Sequence, residues 1–148
     1  MTDISREDFA RAFTERLPHA RAIGLVVEEI AEGRARAWIP YDPRLVGDPE
    51  TGVMAGGTVF TLLDTTCGAA VVGHPLSGGV TATLDLRLDY MRAATPGQRI
   101  RARAECYHVT RSVAFVRALA LDDDEETPVA AASGAFTFTP RAEQEAEA

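Results

Sequence analysis

The segment from Gly56 to about Val72 constrains the fold of this chain more than any other part of the sequence. Its apolar side chains surround a helix axis instead of lining one side, and such a helix has to be wrapped by other structure. A carboxylate, Asp64, stands near its middle, and a charge at the centre of a bilayer costs about 2.5–3.5 kcal/mol on insertion scales. We therefore predict a buried helix of a soluble protein. The apolar residues are Val59, Phe60, Leu62, Leu63, Cys67, Ala69, Ala70 and Val71.

Alternating patterns on both sides of that helix predict the strands that wrap it. In the segment from Thr83 to Tyr90, the pattern places Leu84, Leu86, Leu88 and Tyr90 on one face and Thr83 on the other. One sheet wrapped around one helix is an α+β arrangement, and its edges and uncovered apolar surface favour pairing with a second copy. The predicted strands span residues 25–29, 34–39, 83–90, 99–106, 112–121 and 129–139; a polar loop spans Tyr41 to Gly52.

The ends of the chain predict an extra helix and a tail. Ser5 and Asp8 resemble a capping box, the following apolar residues repeat at helical spacing, and Pro18 should end this helix. We divide the chain into an N-terminal helix packed on the domain (1–20), one domain (21–140) and a disordered tail (141–148). The first residues lack the apolar core of a signal peptide.

Composition narrows the possible partners and the compartment. The net charge of −7 argues against nucleic-acid binding, although a few phosphates held by local arginines remain possible. All fifteen basic residues are Arg. The two cysteines, Cys67 and Cys106, lack the spacing of a disulfide framework or a metal site, which favours a reducing cytoplasm.

Asp64 is the strongest candidate for chemistry, because a carboxylate among apolar neighbours must be paired, hydrogen-bonded, protonated or facing a functional cavity. Gly56 and Gly57 open the same helix, where free N–H groups could stabilise an oxyanion. Gly57 and Asp64 are seven residues apart, or about 10 Å along the axis. If both act on one carbonyl, they must come from two chains, which two antiparallel helices about a two-fold axis would allow.

Other chemistries find no support in the sequence. It has no Gly-x-Ser-x-Gly elbow, Cys67 has no histidine placed nearby, and the three histidines lack the spacing of metal ligands. Arg92 and Arg111 lie in turns, and Arg99, Arg101 and Arg103 alternate on one strand face. These arginines either form a solvated face or include one or two that hold phosphates of a nucleotide-bearing ligand.

The helix and the strand after it resemble the PaaI-like branch of the hot-dog-fold thioesterases. The similarity is carried by Gly52-Val53-Met54-Ala55-Gly56-Gly57, by Leu62-Leu63-Asp64-Thr65 with Gly68, and by the segment from Thr83 to Ala93. This resemblance implies a hot-dog fold, a homodimer that often pairs again into a tetramer, and hydrolysis of acyl-CoA. It also implies Asp64 of one chain as base or nucleophile, the Gly57 amide of the other as oxyanion donor, and Thr83 as a residue that orients water.

The chain departs from the family pattern at two positions. Ala55 stands where relatives usually have His, and only Asp48 lies in the region where an Asn is frequent. The resemblance implies no cofactor beyond the coenzyme A of the substrate. Two alternatives remain: a catalytically weak acyl-CoA-binding protein, favoured by Ala55, and a hot-dog hydratase, disfavoured because no Asp-His pair occupies the helix.

Overall fold

The computed structural model describes residues 6–142 and residue 146. Its elements are α1 (Arg6–Glu15), α2 (Pro18–Ala22), β1 (Val26–Ala31), β2 (Arg34–Ile39), β3 (Val46–Asp48), β4 (Val53–Met54), α3 (Gly56–Val72), β5 (Ser77–Tyr90), β6 (Ile100–Val109), β7 (Val113–Leu121) and β8 (Ala130–Pro140). A short 3-10 helix (Pro43–Leu45) precedes β3.

Six strands form one antiparallel sheet in the order β1-β2-β6-β7-β8-β5, and α3 packs against all six. Two rows of alanine cross the four central strands in register on the buried face. Short side chains let the helix lie close to the sheet, so the sheet can curve around it. The predicted hot-dog arrangement is confirmed. The rows are Ala35-Ala104-Ala118-Ala132 and Ala37-Ala102-Ala120-Ala130.

The helix α3 is buried on most of its circumference but not on all of it. Gly57 and Phe60 are exposed, and Thr61 and Asp64 are half-buried. Residues three and four apart share one helix face, so these four form a continuous uncovered stripe. The sheet of one chain therefore leaves part of the helix surface uncovered, as expected from the sequence, and this uncovered part lies in the first half of α3.

Several boundaries differ from the sequence-based expectation, and three of them change the local structure. Pro18 begins α2 as its first residue, a position where the missing N–H costs nothing, whereas α1 has already ended at Glu15. The polar loop contains β3, which pairs with β4 directly after the loop, and β5 begins at Ser77, six residues before Thr83. Gly79, with φ of +96°, interrupts the pattern in that early part of β5. The predicted cap Ser5 lies outside the described residues.

A bulge in β5 changes which of its side chains face the helix. Thr83 pairs with Phe136 and Asp85 with Ala135, so Leu84 is an extra residue, and it is 58% exposed. One inserted residue reverses the alternation, and the prediction that Thr83 lies on the face opposite Leu86 and Leu88 is therefore wrong.

None of the helices in the described part of the chain is long and apolar enough to span a bilayer. Of the predicted tail, residues 143–145, 147 and 148 lie outside the described residues.

Candidate active site

Asp64 and Thr83 meet on the inner side of the sheet. The Thr83 hydroxyl donates a hydrogen bond of 2.8 Å to Asp64 Oδ1, which joins the middle of α3 to β5. Both residues line a cavity of about 460 Å³. The carboxylate is thus hydrogen-bonded and faces open space, two of the outcomes expected for it from the sequence.

The first turn of α3 presents unused amide donors. Ala55 is the N-cap, and its side chain makes no capping hydrogen bond. Within the described residues, no group accepts from the amide N–H of Gly56 or Gly57. A Cβ built on Gly57 would have no atom within 4 Å, so this end of the helix is open to an incoming molecule. Free N–H groups at a helix start favour an anion or a developing oxyanion.

Tyr90 fixes the position of that helix start, although nothing in the sequence marks it as a site residue. Its hydroxyl donates to the Gly56 carbonyl oxygen at 2.8 Å, and its ring lies next to Gly56. A Cβ on Gly56 would stand 3.4 Å from the Tyr90 ring, so a methyl group would touch the ring. The place of Tyr90 at the end of an alternating strand was visible in the sequence, but its hydroxyl partner was not.

The β3–β4 hairpin shapes the loop in front of the helix. Asp48 accepts hydrogen bonds from the Thr51 hydroxyl at 2.6 Å and from the Glu50 amide at 3.1 Å, and these bonds lower the pKa of its carboxyl group. Gly47 lies so close to Ala55 that a Cβ on Gly47 would stand 2.8 Å from the Ala55 Cα. Asp48 therefore orders the turn, and Ala55 occupies a crowded position beside β3.

Arg92 belongs to a buried structural cluster. Its guanidinium group donates to both carboxylate oxygens of Asp122, to the Thr127 carbonyl and to the Ala93 carbonyl, which engages all five of its N–H groups. Asp122 is fully buried, and Thr95 adds two more hydrogen bonds to it. Arg92 thus has no free donor for a phosphate.

Arg111 lies far from the helix start. It is an exposed residue of the turn between β6 and β7, next to the end of β8. That end of the sheet holds the last turn of α3, whereas Gly56 and Gly57 lie at the opposite end with Tyr90. Within one chain, Arg111 and the Gly57 amide therefore do not share a ligand.

Cys67 is not poised for nucleophilic attack. It is fully buried, and desolvation raises the pKa of its thiol to about 12, with the nearby Asp64 charge adding to the effect. A thiol with that pKa stays protonated at neutral pH and is a poor nucleophile. No group of three His, Cys, Asp or Glu side chains in the described residues is arranged to hold a metal ion.

Comparisons with known proteins identify the family of the chain. The profile of the Thioesterase superfamily matches residues 51–129. The chain is 26% identical over 137 residues to the medium/long-chain acyl-CoA thioesterase YigI of Escherichia coli, covering 84% of this chain and 87% of YigI.

Two solved structures extend the likeness to the whole fold. A protein from Pseudomonas aeruginosa is 41% identical with a TM-score of 0.80, covering 90% of this chain and 98% of that one. A mutant of the phenylacetic acid degradation protein PaaI from Thermus thermophilus is 27% identical with a TM-score of 0.72, covering 82% of this chain and 99% of that one.

A large antiparallel sheet wrapped around one long helix is the fold of the PaaI-like hot-dog thioesterases. The chain belongs to the Thioesterase superfamily.

Proposed function

We propose that this protein hydrolyses acyl-CoA thioesters to the free acid and coenzyme A, with Asp64 as its catalytic carboxylate. The proposal rests on the hydrogen bond from Thr83 to Asp64. This bond fixes the orientation of the Asp64 carboxylate at the wall of a cavity of about 460 Å³. The activity in the name of the Escherichia coli relative supports acyl-CoA as the substrate class.

In this proposal, the second oxygen of Asp64 takes a proton from water while the water oxygen attacks the thioester carbonyl carbon. The Gly57 amide stabilises the oxyanion that forms. The C–S bond then breaks, and the sulfur leaves as the thiol after receiving the proton from Asp64. Thr83 is a positioning residue here, because its proton is directed at Asp64 and not at the substrate.

Direct attack by Asp64 is the other route compatible with the residues. The carboxylate oxygen would form a mixed anhydride as the thiolate leaves, and water would then hydrolyse the anhydride. A single turnover in ¹⁸O-labelled water identifies direct attack if the label appears in the Asp64 carboxylate. Label in the released acid alone fits activated water and also an anhydride opened at its acyl carbon, so trapping of an acylated Asp64 with hydroxylamine separates these two cases.

The reaction centre is proposed to be shared between two chains. Gly57 and Asp64 lie in one continuous helix about 10 Å apart along its axis, too far for one carbonyl to contact both. The uncovered stripe of α3 contains both residues, and β5 forms a sheet edge with Val80 and Leu84 exposed. A second copy packed on this side would cover the stripe and bring its Gly57 to Asp64. Pairing of two such dimers remains a further proposal.

Coenzyme A enters as part of the substrate, and the proposal needs no other cofactor. Arg111 remains a proposed phosphate contact, whereas Arg92 is left out because its donors are engaged. Asp48, Gly56 and Ala55 are proposed to shape the loop against which the pantetheine arm lies. Ala55 has no side chain that could hydrogen-bond the thioester, so an acyl-CoA-binding protein with weak turnover is the second candidate.

Release of the coenzyme A thiol from a series of acyl-CoAs tests the proposal. Asp64→Asn should lower turnover about 10²-fold or more. Asp85→Asn is the matched control, because Asp85 lies on the same strand as Thr83 but points to the outer face after the bulge. Binding of acyl-CoA without release of thiol by the wild-type protein would favour the binding protein instead.

A further inference from the structure

The cavity at Asp64 continues well beyond the carboxylate. Along α3 it is lined by Asp64, Gly68 and Val72, which are four residues apart and share one face of the helix. The distance from the first to the last is about 12 Å along the axis. The cavity therefore extends away from the end of the helix that holds Gly57.

Its polarity changes along this path. At Asp64 the wall is polar, with the Thr83 hydroxyl on the facing strand. At Gly68 the facing residue is Thr81, whose hydroxyl is engaged by the Thr137 carbonyl at 2.7 Å and whose methyl carbon lies toward Gly68. Beyond Gly68 the α3 wall continues with Val72.

The helix α1 supplies another wall of the same cavity. Phe13 and Leu17 line the cavity together with Val80 of β5. Phe13 lies on α1, and Leu17 lies one helical turn further on, just past the end of the helix. The hydroxyl of Thr14 accepts a hydrogen bond of 3.0 Å from the Val27 amide, which holds α1 on β1. Since β1 and β5 are the two edges of the sheet, α1, held on β1, and Val80 of β5 face each other across the cavity.

We propose that this passage holds the acyl group, and that Phe13, Leu17 and Gly68 determine its length. The inference rests on the proposed hydrolysis of acyl-CoA, and it adds which acyl groups the site accepts. With its carbonyl at Asp64, a straight apolar chain of medium length would lie along Gly68 and Val72, under Phe13 and Leu17. A short acyl group would leave the apolar walls unfilled and would gain less from burial.

Gly68 controls the width of the passage. A Cβ at this position would stand 3.6 Å from the Phe136 ring, an ordinary contact, so Ala fits and only a longer side chain obstructs the passage. Gly68→Leu should therefore lower the ratio of kcat/KM for octanoyl-CoA to that for butyryl-CoA at least tenfold, and Gly68→Ala should lower it less.

Phe13→Ala should act in the opposite direction, because it opens the α1 wall and moves the preferred acyl length upward. Phe9→Ala is the matched control, since Phe9 lies on the same helix, is 39% exposed and does not line the cavity. The control should leave the ratio unchanged. Melting temperatures identify variants that fail to fold, and Phe13→Ala still tests the proposal if Gly68→Leu is one of them.

The outcomes separate this inference from the proposed function. If the wild-type protein hydrolyses no acyl-CoA of any length, the proposed function fails. If it hydrolyses them but Gly68→Leu and Phe13→Ala change all lengths equally, the acyl passage is wrong. A preference for an acyl-CoA with a terminal carboxylate over the alkanoyl-CoA of equal length would also overturn it, and would point instead to Arg16, an exposed cation at the same cavity.

Discussion

Arg92 and Asp122 bind each other through two parallel hydrogen bonds, from Nη1 to Oδ2 and from Nη2 to Oδ1, each 2.7 Å long. The pair joins the segment after β5 to the end of β7. Because Asp122 is fully buried, the carboxylate depends on these donors in place of water.

Removing the charge of Asp122 should destabilise the fold strongly. Asp122→Asn keeps the size of the side chain but leaves Arg92 half-buried without its counter-charge, and we expect a loss of about 3 kcal/mol in the free energy of unfolding. Urea unfolding measures it. Asp123→Asn, at the exposed neighbouring position, should change stability by less than about 0.5 kcal/mol. Equal effects of the two substitutions would contradict the structural role of the pair.

The same pair sets an acid limit on stability. The hydrogen bonds from Arg92 hold the pKa of the Asp122 carboxyl far below its usual value of 3.8. A carboxyl whose pKa is lower in the folded state contributes its stabilisation above the usual value and loses it as the pH falls through the folded value. The free energy of unfolding should thus decrease below pH 3.8, and the contribution of Asp122 to this decrease should be missing in Asp122→Asn.

Thr83→Val tests the positioning of Asp64. The substitution keeps the shape of the side chain but removes the donor, so Asp64 loses the bond that orients it. We expect kcat to fall about tenfold, less than the 10²-fold or more expected when the carboxylate itself is lost, while KM stays nearly constant. Thr83→Ser should restore most of the activity. Thr137→Val, which removes a hydroxyl on the neighbouring strand, is the control and should leave kcat unchanged.

Mixed dimers test whether two chains share each reaction centre. Asp64→Asn removes the carboxylate, and Gly57→Pro removes the proposed oxyanion N–H in the first helical turn, where Pro is tolerated. Each homodimer should be nearly inactive. In a purified mixed dimer, one of the two centres keeps both wild-type residues, so about half of the normal activity should return. Well-folded mixed dimers without activity would exclude the shared centre.

Gly134→Ala should destabilise the sheet opposite the bulge. A Cβ on Gly134 would collide with the Asp85 carbonyl oxygen and stand 3.0 Å from the Leu86 Cα. Relief of such overpacking typically costs about 1–3 kcal/mol, measurable as a lower melting temperature. Gly68→Ala, which meets only ordinary contacts, provides the comparison. An unchanged melting temperature in Gly134→Ala would mean that β5 moves at the bulge to accommodate the added methyl group at no cost in stability.

The sequence predicted the long-range architecture because the signals for it are strong. A helix apolar on nearly all sides and strands with clear alternation specify α3 and most of the sheet, and the limits of α3 agree with the prediction. The bulge at Leu84 was not predictable, since one extra residue leaves the alternation of residue types unchanged while it reverses the faces. The short β3–β4 hairpin has too few residues to show a period.

The residues of the candidate site could be predicted from the sequence to different degrees. Asp64 stood out because a carboxylate in an apolar helix needs a hydrogen-bonding partner or a functional cavity. The structure places Thr83 beside it. Arg92 could not be distinguished in the sequence from a ligand-binding arginine, because its partner Asp122 lies 30 positions away. The role of Phe13 and Leu17 as a cavity wall depends on the position of α1 across the cavity from β5, which local patterns do not encode.

The extra residue in β5 has a consequence for anyone who transplants or redesigns this strand. On the inner face of the sheet, β5 first presents the Thr83 hydroxyl to the Asp64 carboxylate. Beyond Leu84, the same face carries Leu86 and Leu88, which pack against the core. Deleting Leu84 would turn Thr83 outward or expel both leucines, although every remaining residue would keep its type. A graft must therefore carry Leu84 together with Gly134 as one unit, because Gly134 makes room for the Asp85 carbonyl and for Leu86, which follow the extra residue.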